Sequence, residues 1–274
     1  MAGIMQTMFR LRSSLLTVVL AGVLVLAAHA DVWVVAAAVV VVQVLIASAP
    51  SLADVRGRSV PTPRFVPAML GGLVATGLAL YPRGLRGAEG TQDVWGLSDS
   101  GMLAGIIPAV AVALFATLVT QMLRSDGRRE LTTSASYAVS LGVAAALASG
   151  WIGGAQSLGG SSVVAIGAAG VAAGVLVWAL PFDRILMGSA AIVAGAAGGA
   201  LVAFTVDSVV TVIFGIAVGS AAALFAVLGQ VFGRAWVSAR SHASVGWGFP
   251  GAMSIALAAP IIYVGGQLVA ASML

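Results

Sequence analysis

Nine apolar stretches, at about residues 13–29, 32–49, 65–81, 102–123, 134–152, 161–181, 185–205, 208–232 and 249–272, occupy most of this chain. A bilayer's hydrocarbon core is about 30 Å thick, and a helix needs roughly 17–25 apolar residues to cross it. Each stretch meets or approaches that length. None alternates apolar with polar residues as a membrane β-barrel strand does, and in lipid every backbone amide needs a partner within its own element. The expected fold is therefore all-α: a polytopic membrane helix bundle of about nine transmembrane helices. Only 8% of the residues are charged and 60% are hydrophobic, too little polar surface to cover a water-soluble core. No segment is large or polar enough for a separate soluble domain, so residues 1–274 read as one integral membrane domain.

The arginines orient it. All 13 basic residues are Arg, and there is no Lys. With the N-terminus cytoplasmic, the inner segments hold Arg10, Arg12, Arg56, Arg58, Arg64, Arg124, Arg128, Arg129, Arg184, Arg234 and Arg240. The outer segments hold only Arg83 and Arg86. Positive residues beside helix ends are retained on the cytoplasmic side, so the C-terminus is expected outside. Trp33, Trp95 and Trp151 fall near the outer interface and Trp178, Trp236 and Trp247 near the inner one, as an aromatic belt requires. Residues 1–30 also resemble a secretion signal, with Ala28-His29-Ala30 as a small-x-small end. The reading preferred here is a tight hairpin between spans one and two, turning at His29–Asp31.

Two connections are long. Residues 82–100 form an outer loop; residues 233–248 form an inner amphipathic loop, in which Trp236 and Arg240 would share a helical face on the membrane surface. Spans five to eight repeat small residues four apart: Gly170 and Gly174, Gly195 and Gly199, Gly215 and Gly219. Gly229 and Gly233 continue the series. One turn of spacing makes a flat strip where helices approach closely, so a tight Gly/Ala-rich core is expected over about 134–232. Spans one and two are bulkier, expected at the periphery and suited to lipid or to a partner membrane protein.

The chemistry-bearing residues exclude several classes. With no Cys there is no disulfide, thiolate nucleophile or thiolate metal site, and with no Lys no Schiff base or Walker loop. No His-Glu-x-x-His pattern occurs, and nothing acidic follows Asp207, where a metal-dependent lipid enzyme would want paired carboxylates. No metal or other cofactor is expected. The net charge is only +4 and the arginines are scattered among turns, which speaks for topology rather than nucleic acid. None of the nine acidic residues falls within a span, against an ion-driven pump.

Two sets of residues remain as candidate sites. The first is a broken helix in the last span, where Pro260 frees a carbonyl and Gly265 and Gly266 loosen the turn beneath Gln267. Pro108 in span four supplies a second interruption, and Gln121 lies at its inner end. Unwound helices are where many carriers bind solutes. The second set is basic: Arg124, Arg128, Arg184, Arg234, Arg240 and His242 all face the cytoplasm and suit a phosphate or anionic lipid headgroup. The expected function is a permease- or flippase-like protein for a small or lipid-like solute, in a cell membrane of bacterial inner-membrane type. The alternatives are a non-catalytic subunit of a larger envelope or respiratory complex and, last, a lipid-modifying enzyme.

Overall fold

The computed structural model describes residues 2–53, 59–60, 62–80, 101–125, 130–206, 210–238 and 246–272, with side chains described for these except 2–8, 52–53, 59–60, 101–104, 238 and 270–272. Among the described residues ten helices follow one another: α1 (Ala2–Ala30), α2 (Val32–Ala47), α3 (Phe65–Leu80), α4 (Gly101–Met122), α5 (Leu131–Leu147), α6 (Gly150–Ala155), α7 (Gly160–Trp178), α8 (Arg184–Thr205), α9 (Val212–Ser238) and α10 (Gly248–Ser272). Two-residue strands, β1 (Leu52–Ala53) and β2 (Ser59–Val60), pair antiparallel between α2 and α3. Among the described residues seven helical segments are long and apolar enough to cross a bilayer, with α5 and α6 counted together over Leu131–Ala155. The helices α2 and α3 are shorter apolar helices of 16 residues. At 1.5 Å per residue each is about 24 Å long, somewhat less than the hydrocarbon core. The protein is a multi-pass membrane helix bundle.

Local chemistry sets several helix ends. Asp31 lies between α1 and α2 in extended conformation, and its carboxylate accepts from the Trp33 amide at 2.8 Å. Asp183 caps α8 in the same manner, accepting from the Ile185 and Leu186 amides. A carboxylate there satisfies amides that have no partner within the helix and complements its positive end.

The helices form two sheaves. In one, α3, α4 and α5 pack together; in the other, α7, α8 and α9 do, with α10 against α9. Between them α1 lies on α7 and α10, while α2 lies on α3, α5 and α10. The first two helices are therefore not peripheral. Leu24, Val35, Val39, Val42 and Ile46 are completely buried in the main core. Their bulk fills the seam between the sheaves, whereas Val19, Val23, Val34 and Val41 face outward.

Helices α7, α8 and α9 meet backbone to backbone. A Cβ built on Gly170 would stand 2.5 Å from the Gly219 carbonyl oxygen, and one on Gly174 would stand 2.6 Å from the Ala223 Cβ. In α8, Gly195, Gly199 and Ala203 are buried four residues apart. Lipid tails are as apolar as the helices themselves, so close van der Waals contact replaces the hydrophobic effect as the force drawing helices together.

Expectations on three segments are corrected. The inner loop is shorter than 233–248, because α9 continues to Ser238; Trp236 is half-buried, its ring 5.3 Å from Tyr137 and 5.9 Å from Phe249. Trp151 leaves the outer belt: it is fully buried in α6 and its indole nitrogen donates to the Ile255 carbonyl oxygen at 2.9 Å. Neither proline breaks its helix, since α4 and α10 run continuously through Pro108 and Pro260. A proline removes one ladder bond and neighbouring helices compensate. The interruption in a span falls instead at Ala148 and Ser149, between α5 and α6. Ser149 Oγ donates there to the Ala146 carbonyl oxygen at 2.8 Å. The outer loop 82–100 lies outside the described residues.

Candidate functional site

Polar side chains inside the bundle gather in three places. The largest joins α1, α9 and α10 near one end. Gln230 is completely buried; its amide nitrogen donates to Thr17 Oγ1 at 3.0 Å, and its oxygen lies 3.1 Å from Ser13 Oγ. Thr17 Oγ1 also lies 3.3 Å from the Gly251 carbonyl oxygen. One turn further along α9, the Arg234 guanidinium donates to Gln230 Oε1 at 3.0 Å, Ser13 Oγ at 3.3 Å and the Arg10 carbonyl oxygen at 3.5 Å. These acceptors are all neutral, so they orient the guanidinium without cancelling its charge. Arg10 and Arg184 stand near enough for their positive charges to act on it.

The second place is deeper. Gln43 of α2 donates through its amide nitrogen to the Gly72 carbonyl oxygen at 3.0 Å, Thr76 Oγ1 at 2.8 Å and the Ala145 carbonyl oxygen at 3.2 Å. Gly72 makes room for it, since a Cβ there would stand 2.8 Å from Gln43 Cδ. The third joins the end of α4 to the start of α5. Gln121 donates to Ser134 Oγ at 2.7 Å, and Arg124 donates to Gln121 Oε1 at 2.7 Å and to Ser134 Oγ at 3.0 Å. These groups tie helices together.

Among the described residues four buried polar atoms lack a hydrogen-bond partner: Ser14 Oγ, Gln43 Oε1, Trp178 Nε1 and Arg234 Nε. Three of them, on α1, α7 and α9, belong to the end that carries Arg10 and Arg184. The described arginines share that end. Arg234 reaches α1 beside Arg10, Arg124 reaches the start of α5, and Tyr137 of α5 donates to the Pro50 carbonyl oxygen after α2 at 2.7 Å.

The residues singled out in the sequence divide as follows. Gln267 is half-buried in an unbroken α10. Gly265 and Gly266 are contact points: a Cβ on Gly265 would stand 3.2 Å from Val218 Cγ2, and one on Gly266 would stand 2.5 Å from Ser157 Oγ. Pro108 lies apart from this region, because α4 packs on α3 and α5 whereas α10 packs mainly on α9, α6 and α1. Gln121 is spent on Ser134, beside Arg124. Arg234 reaches the Arg10 carbonyl oxygen, and Arg184 is exposed at the first position of α8. Arg128, Arg240 and His242 lie outside the described residues. Sequence reading passed over Arg10, Ser13 and Thr17. Their spacing of three and four residues, which puts them on one face of α1, was the available signal.

A shallow groove of about 440 Å³ opens sideways on the bundle surface. Its floor is the α7 strip Ala165, Ala168, Ala169 and Ala172, and its walls include Val18, Gly22 and Val25 of α1 and Val202 of α8. It exists because methyl groups stand where larger side chains would fill the space between α1 and α8. Among the described residues no three His, Asp or Glu side chains converge as a metal site would need.

No family model, curated protein or solved structure matches this chain.

Proposed function

We propose that the protein is a flippase-like permease that handles a lipid-like solute from within the membrane. The sidelong groove carries this reading: an apolar trough on the lipid-facing surface suits an acyl chain and offers nothing to a small polar solute. The deep polar groups support the same choice, because Gln43, Thr76 and Gln230 are bound to neighbouring helices. With its arginines toward the cytoplasm the chain sits in a plasma membrane of bacterial inner-membrane type, N-terminus inside and C-terminus outside.

The test is a dithionite assay on proteoliposomes holding trace fluorescent phospholipid. A flippase-like protein makes the inner-leaflet label accessible faster than in protein-free vesicles. Equal rates would reject the reading.

The backbone-tight contact of α7, α8 and α9 favours one other role, that of a rigid non-catalytic subunit in a larger membrane complex. Affinity purification in mild detergent separates the two. A stoichiometric partner supports the subunit, and a lone chain with retained lipid supports the flippase-like permease.

A further inference from the structure

A second cavity lies where α2 ends and α3 begins, apart from the α7 groove. It holds about 450 Å³, with Ala47 and Ser48 on one side and Thr62, Arg64, Phe65 and Val66 on the other. The arginine bias puts this end of both helices at the cytoplasmic headgroups. Unlike the groove, the cavity is amphiphilic. Arg64 supplies a cation, whereas Phe65 and Val66, 53% and 45% exposed, turn toward lipid.

Arg64 is engaged through its backbone alone. Its amide donates to the Thr62 carbonyl oxygen at 2.8 Å, and its carbonyl oxygen accepts from the Ala68 amide at 3.3 Å. Among the described residues nothing pairs with its guanidinium, whereas Arg124 and Arg234 are held by neighbouring side chains. Pro63 and Pro67 restrict the backbone on either side of Arg64, so less freedom is lost when a ligand binds there. An unpaired guanidinium at headgroup depth attracts a phosphate.

Apolar surface continues from the cavity into the bilayer. On α2, Val44 and Val41 stand one and two turns from Ser48; on α3, Leu70 and Leu73 follow Val66 at the same spacing. These four are between 40% and 52% exposed. Leu73 stands about 14 Å along α3 from Arg64, and half the hydrocarbon core is about 15 Å. A molecule that matches this surface is anionic at one end and hydrocarbon over the depth of one leaflet.

We propose that the cavity between α2 and α3 binds an anionic phospholipid of the inner leaflet. Its phosphate lies on Arg64 and an acyl chain follows the face of Val66, Leu70 and Leu73. The site is separate from the apolar groove, and it stands whether or not the protein moves lipid.

Native mass spectrometry of the full chain, equilibrated with equal amounts of phosphatidylglycerol and phosphatidylcholine, tests it. The wild type should retain the anionic lipid about fivefold over the neutral one, the factor for one arginine at a membrane surface. Arg64→Gln should bring the two lipids to near-equal retention, and Arg64→Lys should keep most of the preference. Arg12, exposed on α1, is the control: Arg12→Gln removes the same charge outside the cavity and should leave the preference unchanged. Ser48→Phe, which fills the cavity from its exposed rim, should reduce retention of phosphatidylglycerol at an unchanged melting temperature. A wild type without preference would overturn the proposal. So would an equal drop in Arg12→Gln, or full retention in folded Ser48→Phe. Displacement of the lipid by millimolar inorganic phosphate would overturn it too, since the ligand would then be a free anion.

Discussion

Gly199 and Gly215 oppose each other across α8 and α9 so closely that a Cβ built on Gly215 would stand 2.6 Å from the Gly199 carbonyl oxygen. The obstacle is backbone, which cannot turn aside as a side-chain tip can. Two helices in lipid gain from such proximity because every atom pair in van der Waals contact adds a little attraction.

Gly215→Ala should therefore push α8 from α9 and cost about 1–3 kcal/mol, the usual penalty for overpacking. Gly77→Ala is the control, since a Cβ on Gly77 meets nothing within 4 Å. That change should be neutral or stabilise by up to about 1 kcal/mol, from alanine's better helix propensity. Thermal unfolding in detergent compares them. A melting temperature for Gly215→Ala at or above wild type would show that the helices do not meet as described.

Trp151 binds α6 to α10 through its bulk and its bond to the Ile255 carbonyl oxygen. Trp151→Phe keeps most of the apolar contact and should cost about 1 kcal/mol. Trp151→Ala leaves a cavity in the centre of the bundle and should cost about 3–5 kcal/mol. Near-equal losses for the two variants in unfolding experiments would mean that volume is not what the indole contributes.

Gln43 joins three helices, with Thr76 and the carbonyls of Gly72 and Ala145 as its acceptors. Gln43→Leu removes those bonds at similar size. Interhelical hydrogen bonds in membranes are worth about 0.6 kcal/mol each on average, so the expected loss is about 2 kcal/mol. A loss well above 3 kcal/mol, measured by denaturant titration, would assign Gln43 a larger share than bonding of this kind supports.

Sidedness is open to a direct probe because the chain has no native cysteine. Leu158 is 67% exposed in the turn before α7, on the expected outer side, and Ser48 is exposed at the expected inner end of α2. In intact cells a membrane-impermeant maleimide should label Leu158→Cys and leave Ser48→Cys unlabelled until the cells are opened. The opposite pattern would invert the orientation assigned to every turn.

The amino-acid sequence by itself determined the helical bundle and, within a few residues, where each span lies. That part is local: lipid offers backbone amides no partner, so any long apolar run must satisfy its own as a helix. The caps at Asp31 and Asp183 are local as well, each carboxylate answering amides two or three residues onward. Only the tertiary structure decided which helices are neighbours. In a solvent as apolar as the helices, no hydrophobic preference tells a span which face to bury, and pairing depends on shape complementarity between residues far apart in the chain. Hence Gly265 and Gly266, read from sequence as loosening a helix, serve as contact surfaces for Val218 and Ser157. Ser13 and Thr17 of α1 meet Gln230 and Arg234 of α9 only because the folded bundle brings the ends of those two helices together.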